Sequence, residues 1–275
     1  MSINDSHKQY LLEMLIEINR ICKNNKIEYW LDGGTLLGAY RHGGFIPWDD
    51  DIDVGVRRAD FEKIQHALAA ELPPHFFLQS QKTELNYKHE FIKIRDTRTS
   101  NGAKLDEKYQ QRGLFVDIFP FDFVPKSIAL RWVHFVISKI RLFLLVYKKD
   151  TVILFNNNNN SNNKLNNLFV HLFYLTLGSL PKRFWNFVLA TTRQSVKNKQ
   201  FIGDGYCFPT CFFKSIRQTQ VYFPLSTITF EGIVFSAPHD VPRYLESLYG
   251  ADFMTPRQDL HIEHMEDLIN IDQQP

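Results

Sequence analysis

The chain has 275 residues, 44% hydrophobic and 23% charged, with 32 Lys and Arg against 30 Asp and Glu for a formal net charge of +2. That balance excludes disordered, collagen-like and coiled-coil classes and is compatible with one large domain or two small ones. Three cysteines, Cys22, Cys207 and Cys211, are too few for a disulfide framework and suit a reducing compartment.

The first five residues are polar, with no apolar run behind them, so no secretory leader is expected and a cytoplasmic location is. Leu11, Leu15, Ile18 and Cys22 recur at helical spacing and predict a helix over about 6–25. A short strand at 28–31 leads through Asp32-Gly33-Gly34-Thr35 into a short helix. A strand is predicted at 52–56 and a helix at 58–71, where Phe61, Ile64, Leu68 and Leu72 are periodic. Further strands are expected at 76–79, 91–94 and 114–119, the last ending at Pro120. The middle third reads as helical; the last third mixes short strands with a helix near 240–249. Interspersed strands and helices give an α+β class, a mixed sheet covered by helices.

The near-zero total charge hides an asymmetry. Residues 125–200 hold twelve Lys or Arg and one acid, Asp150, for a net +11, so the remainder carries −9. The same region is rich in apolar and aromatic residues, but its longest apolar run, 168–180, is too short to span a bilayer. It is expected to form basic helices packed on the core, with peripheral contact to an anionic membrane on the inner face as the sharper alternative. Nine of the twelve residues 156–167 are Asn, which reads as a surface loop. Three parts follow: a catalytic core over 1–124, this basic region over 125–200, and a C-terminal part over 201–275 that completes the domain.

The most informative stretch is 29–56, YWLDGGTLLGAYRHGGFIPWDDDIDVGV. In a strand, Asp51 and Asp53 share a face, and two carboxylates side by side raise each other's pKa unless a cation separates them. Oxygen-only donors favour Mg²⁺ or Mn²⁺. A calcium loop fails by register, since Val54 stands where Gly is needed and Asp60 where Glu is. Upstream, Gly33-Gly34-Thr35 lies between a strand and a helix, where glycines admit close approach of a phosphate and the helix start offers N–H groups. The order strand, Gly-Gly, helix, loop, Asp-x-Asp resembles the signature of the nucleotidyltransferase fold. That fold wants a third carboxylate on a later strand. Asp117, alone in the apolar run 114–119, is the candidate, with Asp122 in reserve.

The run GGTLLGAYRHGGFIPWDDDIDVGV more closely resembles the LicD family, whose bacterial members transfer phosphocholine from CDP-choline to cell-surface glycans and whose relatives include fukutin-type ribitol-phosphate transferases. Lys93-Ile94-Arg95-Asp96 is similar to the family's Lys-x-Arg-Asp segment. Tyr244 to Gly250, followed by Met254-Thr255-Pro256, is similar to its tyrosine-glycine segment, with Arg257 where a second proline is frequent. The resemblance covers roughly 10–120 and 230–260. It implies a metal-dependent phosphotransferase that moves a phospho-alcohol, phosphocholine before others, from a CDP-alcohol to a sugar hydroxyl of a glycan or lipid-linked glycan such as lipopolysaccharide or teichoic acid, releasing CMP.

Such chemistry must neutralise a diphosphate and place a hydroxyl in line with it. Asp51, Asp53 and Asp117 are the expected metal ligands and catalytic acids, Gly33, Gly34 and Thr35 the phosphate cradle, and Arg41, Lys93 and Arg95 the cations beside the diphosphate. A nucleotidyltransferase proper, or an Asp-x-Asp sugar-nucleotide glycosyltransferase, would use a similar metal site. A non-catalytic scaffold is the contrasting class, and no nucleic-acid partner is expected. His261 and His264 with Cys207 and Cys211 suggest a zinc site only weakly; core cysteines and surface histidines are the default.

Overall fold

The computed structural model describes residues 5–49, 51–84, 86–99, 109–146, 182–208 and 211–256. The Asn-rich run, the apolar run 168–180, Asp50, Asp150, His261 and His264 lie outside the described residues.

Helix α1 (Asp5–Asn24) buries Leu11, Met14, Leu15, Ile18, Ile21 and Cys22 along one face, as the helical spacing requires. After it come β1 (Tyr29–Leu31), α2 (Gly33–His42), β2 (Ile52–Arg57), α3 (Arg58–Glu71), β3 (Phe76–Gln79), β4 (Ile92–Asp96) and β5 (Phe115–Val124). Two helices, α4 (Ile128–Val146) and α5 (Lys182–Gln194), precede β6 (Phe201–Gly203) and β7 (Arg217–Gln218). A hairpin of β8 (Ser226–Phe230) and β9 (Ile233–Ala237) and helix α6 (Val241–Tyr249) complete the order.

The main sheet runs β1-β2-β5-β4-β3, with β6 joined to the far half of β5 and β7 to β6. Among the described strands of this sheet, β2 and β5 pair in parallel and the other pairs are antiparallel. Helices α1 and α3 pack on each other and on this sheet, while the β8–β9 hairpin meets β1 and α2. The expected α+β class, a mixed sheet with helical cover, is what the chain forms.

One expectation is corrected. Strand β5 does not stop at Pro120 but continues to Val124. On one side its partner changes there: pairing with β4 ends at Ile118 and pairing with β6 begins at Asp122. Pro120 falls in the gap, where its missing N–H leaves no ladder bond unmade.

The core centres on Trp30, which has no exposed surface and meets Phe121, Tyr222 and Phe223 edge-on at 5.0–5.6 Å. Gly55 stands opposite Trp30 in the β1–β2 register, and a Cβ there would lie 2.4 Å from the indole. A smaller core of Val124, Leu189, Tyr206 and Phe212 sits beneath α4 and α5. Ions tie these helices down: Arg193 Nη2 lies 2.5 Å from Glu90 Oε2 and its Nε 3.4 Å from Asp122 Oδ1 of β5, Arg141 also pairs with Glu90, and Arg58 of α3 holds the same Asp122 at 3.0 Å.

Candidate active site

Three strands carry charged residues in one row. Parallel pairing sets Asp53 of β2 opposite Asp117 of β5, and antiparallel pairing sets Lys93 of β4 opposite Asp117 from the other side. Residues in direct register point to the same face, so the acids and the lysine converge there. Lys93 Nζ donates to Asp117 Oδ2 at 2.9 Å and lies 2.8 Å from Oδ1. That second oxygen is buried without an aligned hydrogen bond, which leaves it coordinating capacity. Lys93 also sits 3.4 Å from the centroid of the Phe115 ring, which keeps water from its far side.

The glycine turn closes over Asp53. Helix α2 begins at Gly33, whose φ of 51° is left-handed backbone that favours glycine. A Cβ on Gly33 would lie 3.1 Å from Asp53 Oδ2, and one on Gly34 would lie 2.7 Å from Asp49 Oδ2. The turn is fastened to β2 twice. Asp32 N–H donates to the Asp53 carbonyl at 3.0 Å, and Asp53 N–H donates to Thr35 Oγ1 at 2.8 Å. Thr35 therefore holds the strand against the turn by accepting at Oγ1, a bond that does not use its hydroxyl proton.

Asp51 lies one residue before β2 and is half-buried, as are Asp49 and Asp53. Burial, then the charges of Asp51, Asp117, Asp32 and Asp49, push Asp53 well above the ordinary carboxylate value. Asp117 is pushed up to about 6 by burial, against the lowering pull of Lys93. Asp32 is also pushed up to about 6, first by burial and next by Asp204, while a short hydrogen bond from the Tyr244 hydroxyl opposes the shift. Among the described residues, Asp32, Asp49, Asp51, Asp53 and Asp117 thus crowd one end of the sheet, and Lys93 pairs with Asp117.

The other expected cations are placed differently. Arg95 has no exposed surface; it donates to Gln79 Oε1 at 2.7 Å and to the Gly113 carbonyl at 2.9 Å, so its charge reaches Asp117 only through space. Arg41, on the last turn of α2, donates to the Phe253 carbonyl at 3.2 Å and lies over Trp48 at 6.0 Å, with Asp49 near enough to act on its charge. The reserve acid Asp122 belongs to the Arg58 ion pair, five positions along β5 from the cluster. Cys207 lies beside Arg58 and the Pro120 carbonyl, and Cys211 is exposed.

Sequence reasoning missed the C-terminal wall. Tyr244 of α6 bonds Asp32, and the half-buried Tyr249 is kept protonated by burial and by Asp53, Asp32, Asp49 and Asp51. The signal for Asp32 was present, an acid at the end of a wholly buried strand. Tyr249 lies in the segment singled out for its tyrosine and glycine, but nothing local in that segment says that it reaches the acids.

Among the described residues, no three His, Cys, Asp or Glu side chains form a closed metal cage. The donor chemistry still fits Mg²⁺, which is commonly held by one or two carboxylates plus substrate phosphates rather than by protein alone. An all-oxygen site with excess negative charge and a buried carboxylate oxygen that accepts no aligned hydrogen bond meets that description.

Comparison with known proteins adds to this geometry. Residues 26–139 match the family described as LicD/FKTN/FKRP, nucleotidyltransferase domain. The chain is 39% identical over 117 residues to the lipopolysaccharide cholinephosphotransferase LicD of Haemophilus influenzae, covering 42% of this chain and 43% of that protein. It is 49% identical over 45 residues to the ribitol 5-phosphate transferase FKRP of Homo sapiens (16% of this chain, 9% of that one). With the ribitol-5-phosphate transferase FKTN of Mus musculus it shares 31% identity over 99 residues, or 34% of this chain and 19% of the relative. In each case the match spans less than half of the relative's length.

Proposed function

Residues 26–139 are a LicD/FKTN/FKRP-family segment, and on that premise we propose that the protein is a phosphotransferase moving a phospho-alcohol from a CDP-alcohol to a sugar hydroxyl of a cell-surface glycan. Phosphocholine is the favoured group, since the longest of the matches described above is to a cholinephosphotransferase. The observation that carries the proposal is the row Asp53, Asp117, Lys93 beneath the Gly33–Gly34 turn.

In this reading the start of α2 receives a donor phosphate, the side-chain-free glycines letting it approach the backbone. Arg41 guards the mouth of the site as a second cation near Asp49. A divalent cation held by Asp51 and Asp53, with Asp117 at its edge, would neutralise the diphosphate and the leaving CMP. Asp117, poised near neutrality between burial and Lys93, takes the proton from the acceptor hydroxyl. The hydroxyl oxygen bonds to the phosphorus that bears the alcohol, the bond from that phosphorus to the bridging oxygen breaks, and CMP departs with the electron pair. Lys93 holds the Asp117 carboxyl in place throughout.

The test is a donor panel of CDP-choline, CDP-ribitol, CDP-glycerol, CDP-ethanolamine and sugar nucleotides, read by melting temperature and by nucleotide released. A ligand that binds only the folded state raises the melting temperature. A shift with a CDP-alcohol and release of CMP support the proposal. Release of UDP or GDP from a sugar nucleotide, or nucleotide retained on the acceptor, would replace it with glycosyl or nucleotidyl transfer.

A further inference from the structure

Two helices beside the catalytic sheet turn large apolar side chains into solvent. Trp132, Val133 and Val136 of α4 are 53%, 51% and 48% exposed, and Ile128 and Leu130 at its start are more than half exposed. Spacing of three and four residues puts Trp132, Val133 and Val136 on one stripe, while His134 and Ser138 face inward and are buried. On α5, Phe184 and Phe187 are one turn apart and 42% and 69% exposed; Trp185 and Leu189 of the same helix are buried. Trp132 is braced against Phe213 at 4.7 Å, so the face is built rather than loose. A helix that is only solvated does not carry such a stripe.

The charges on these helices have one sign. Residues 126–146 and 182–199 contain no Asp or Glu. Arg141 and Arg193 are used internally by Glu90. Lys139 and Arg183 on the helices and Lys126, Lys197 and Lys199 on their flanks make no ion pair among the described residues, whereas Arg131 is half-buried against Phe201 and the Pro125 carbonyl. Exposed rings and aliphatics among unpaired cations match an interface with acyl chains below and anionic headgroups above. No described helix is long and apolar enough to cross a membrane, which fits a helix pair lying on the surface. A second copy of the same face is a poor occupant, because pairing would oppose like charges. The segment between α4 and α5 does not complement its charge either, since residues 147–181 hold Lys148, Lys149 and Lys164 against Asp150 alone.

We infer that α4 and α5 form a docking face for an anionic bilayer, with Trp132 and Phe187 as its apolar anchors. The inference is independent of the phosphotransfer reading, and its test involves no turnover. The full chain is sedimented with vesicles of phosphatidylcholine alone and of phosphatidylcholine with about one-third phosphatidylglycerol, at low and high salt. Two double variants, Trp132→Ser with Phe187→Ser and Lys126→Glu with Arg183→Glu, are run beside it, their melting curves checking the fold. The expected result is binding to the anionic vesicles only, release at high salt, and a bound fraction about tenfold lower for each variant. Binding to neither vesicle, equal binding to both, retention at high salt, or variants that bind like the parent would each overturn it. So would a dimer in sedimentation velocity that the Trp132→Ser, Phe187→Ser variant dissolves.

Discussion

Asp53 and Asp117 face each other across β2 and β5 in unlike electrostatic surroundings, and isosteric changes at the two should have opposite signs. Asp53 makes no ion pair among the described residues and is pushed up by burial and by its acidic neighbours. A carboxyl raised on folding favours the folded state below its ordinary value and penalises it as pH climbs through the raised one. In cation-free buffer, Asp53→Asn is therefore expected to raise the melting temperature at pH 7, the gain shrinking towards about pH 4. An unchanged or lowered melting temperature at pH 7 would remove the claim of crowding. Asp117→Asn instead strands the buried Lys93, and losing one partner of such a pair costs roughly 3–5 kcal/mol; thermal denaturation should show a clear fall. At the glycine turn, a Cβ on Gly34 meets the mobile end of Asp49, which can swing aside. Gly34→Ala is thus expected to change the melting temperature little while donor affinity, read by titration with CDP-choline, drops about tenfold or more. Equal affinity would mean that the turn serves only the fold.

The site is assembled from elements far apart in sequence, and each is held by a specific device. The α2 turn is laced to β2 by Asp32 N–H and Thr35 Oγ1, so turn and acid strand move as one body. Helix α6 closes the other side, where the Tyr244 hydroxyl donates to the buried Asp32 carboxylate. Tyr244→Phe removes that acid's side-chain donor and leaves it the Gly33 N–H, and losing one hydrogen bond to a buried carboxylate costs about 1–3 kcal/mol. The expected outcome is a lower melting temperature and faster amide exchange along α6 and the first turn of α2. Exchange that rises uniformly over the chain would show that Tyr244 is generic packing rather than the link between these elements. Within the sheet, Gly55 exists to admit the indole of Trp30. Gly55→Ala should cost about 1–3 kcal/mol by overpacking, measured by chemical denaturation.

At the scale of the whole molecule, the first half of the fold was legible because each signal there is local. The periodicity of Leu11, Leu15 and Ile18, the Asp32-Gly33-Gly34 turn and the β-branched run around Asp53 each specify an element within a few residues of themselves. Strand β5 was read too short because a proline looks terminal unless the switch from β4 to β6 is known, and that switch is a property of the sheet. For the site, the residue types on β2, β4 and β5 were visible, but the register that sets Lys93 against Asp117 was not. Arg95 illustrates the converse: alternation along β4 cannot tell an enclosed cation from one that reaches a ligand. The segment holding Tyr249 was visible, but its nearness to the acids was not, because that depends on α6 packing against α2, some two hundred residues upstream. All of these parts serve one claim, that the Asp53–Asp117 row performs phosphoryl transfer. The most direct measurement is CMP release from CDP-choline, with Mg²⁺ and a glycan acceptor, by the parent protein and by Asp53→Asn. The account predicts release by the parent and a loss on the order of 10³-fold or more in a variant that still folds. Near-normal release by folded Asp53→Asn would contradict it.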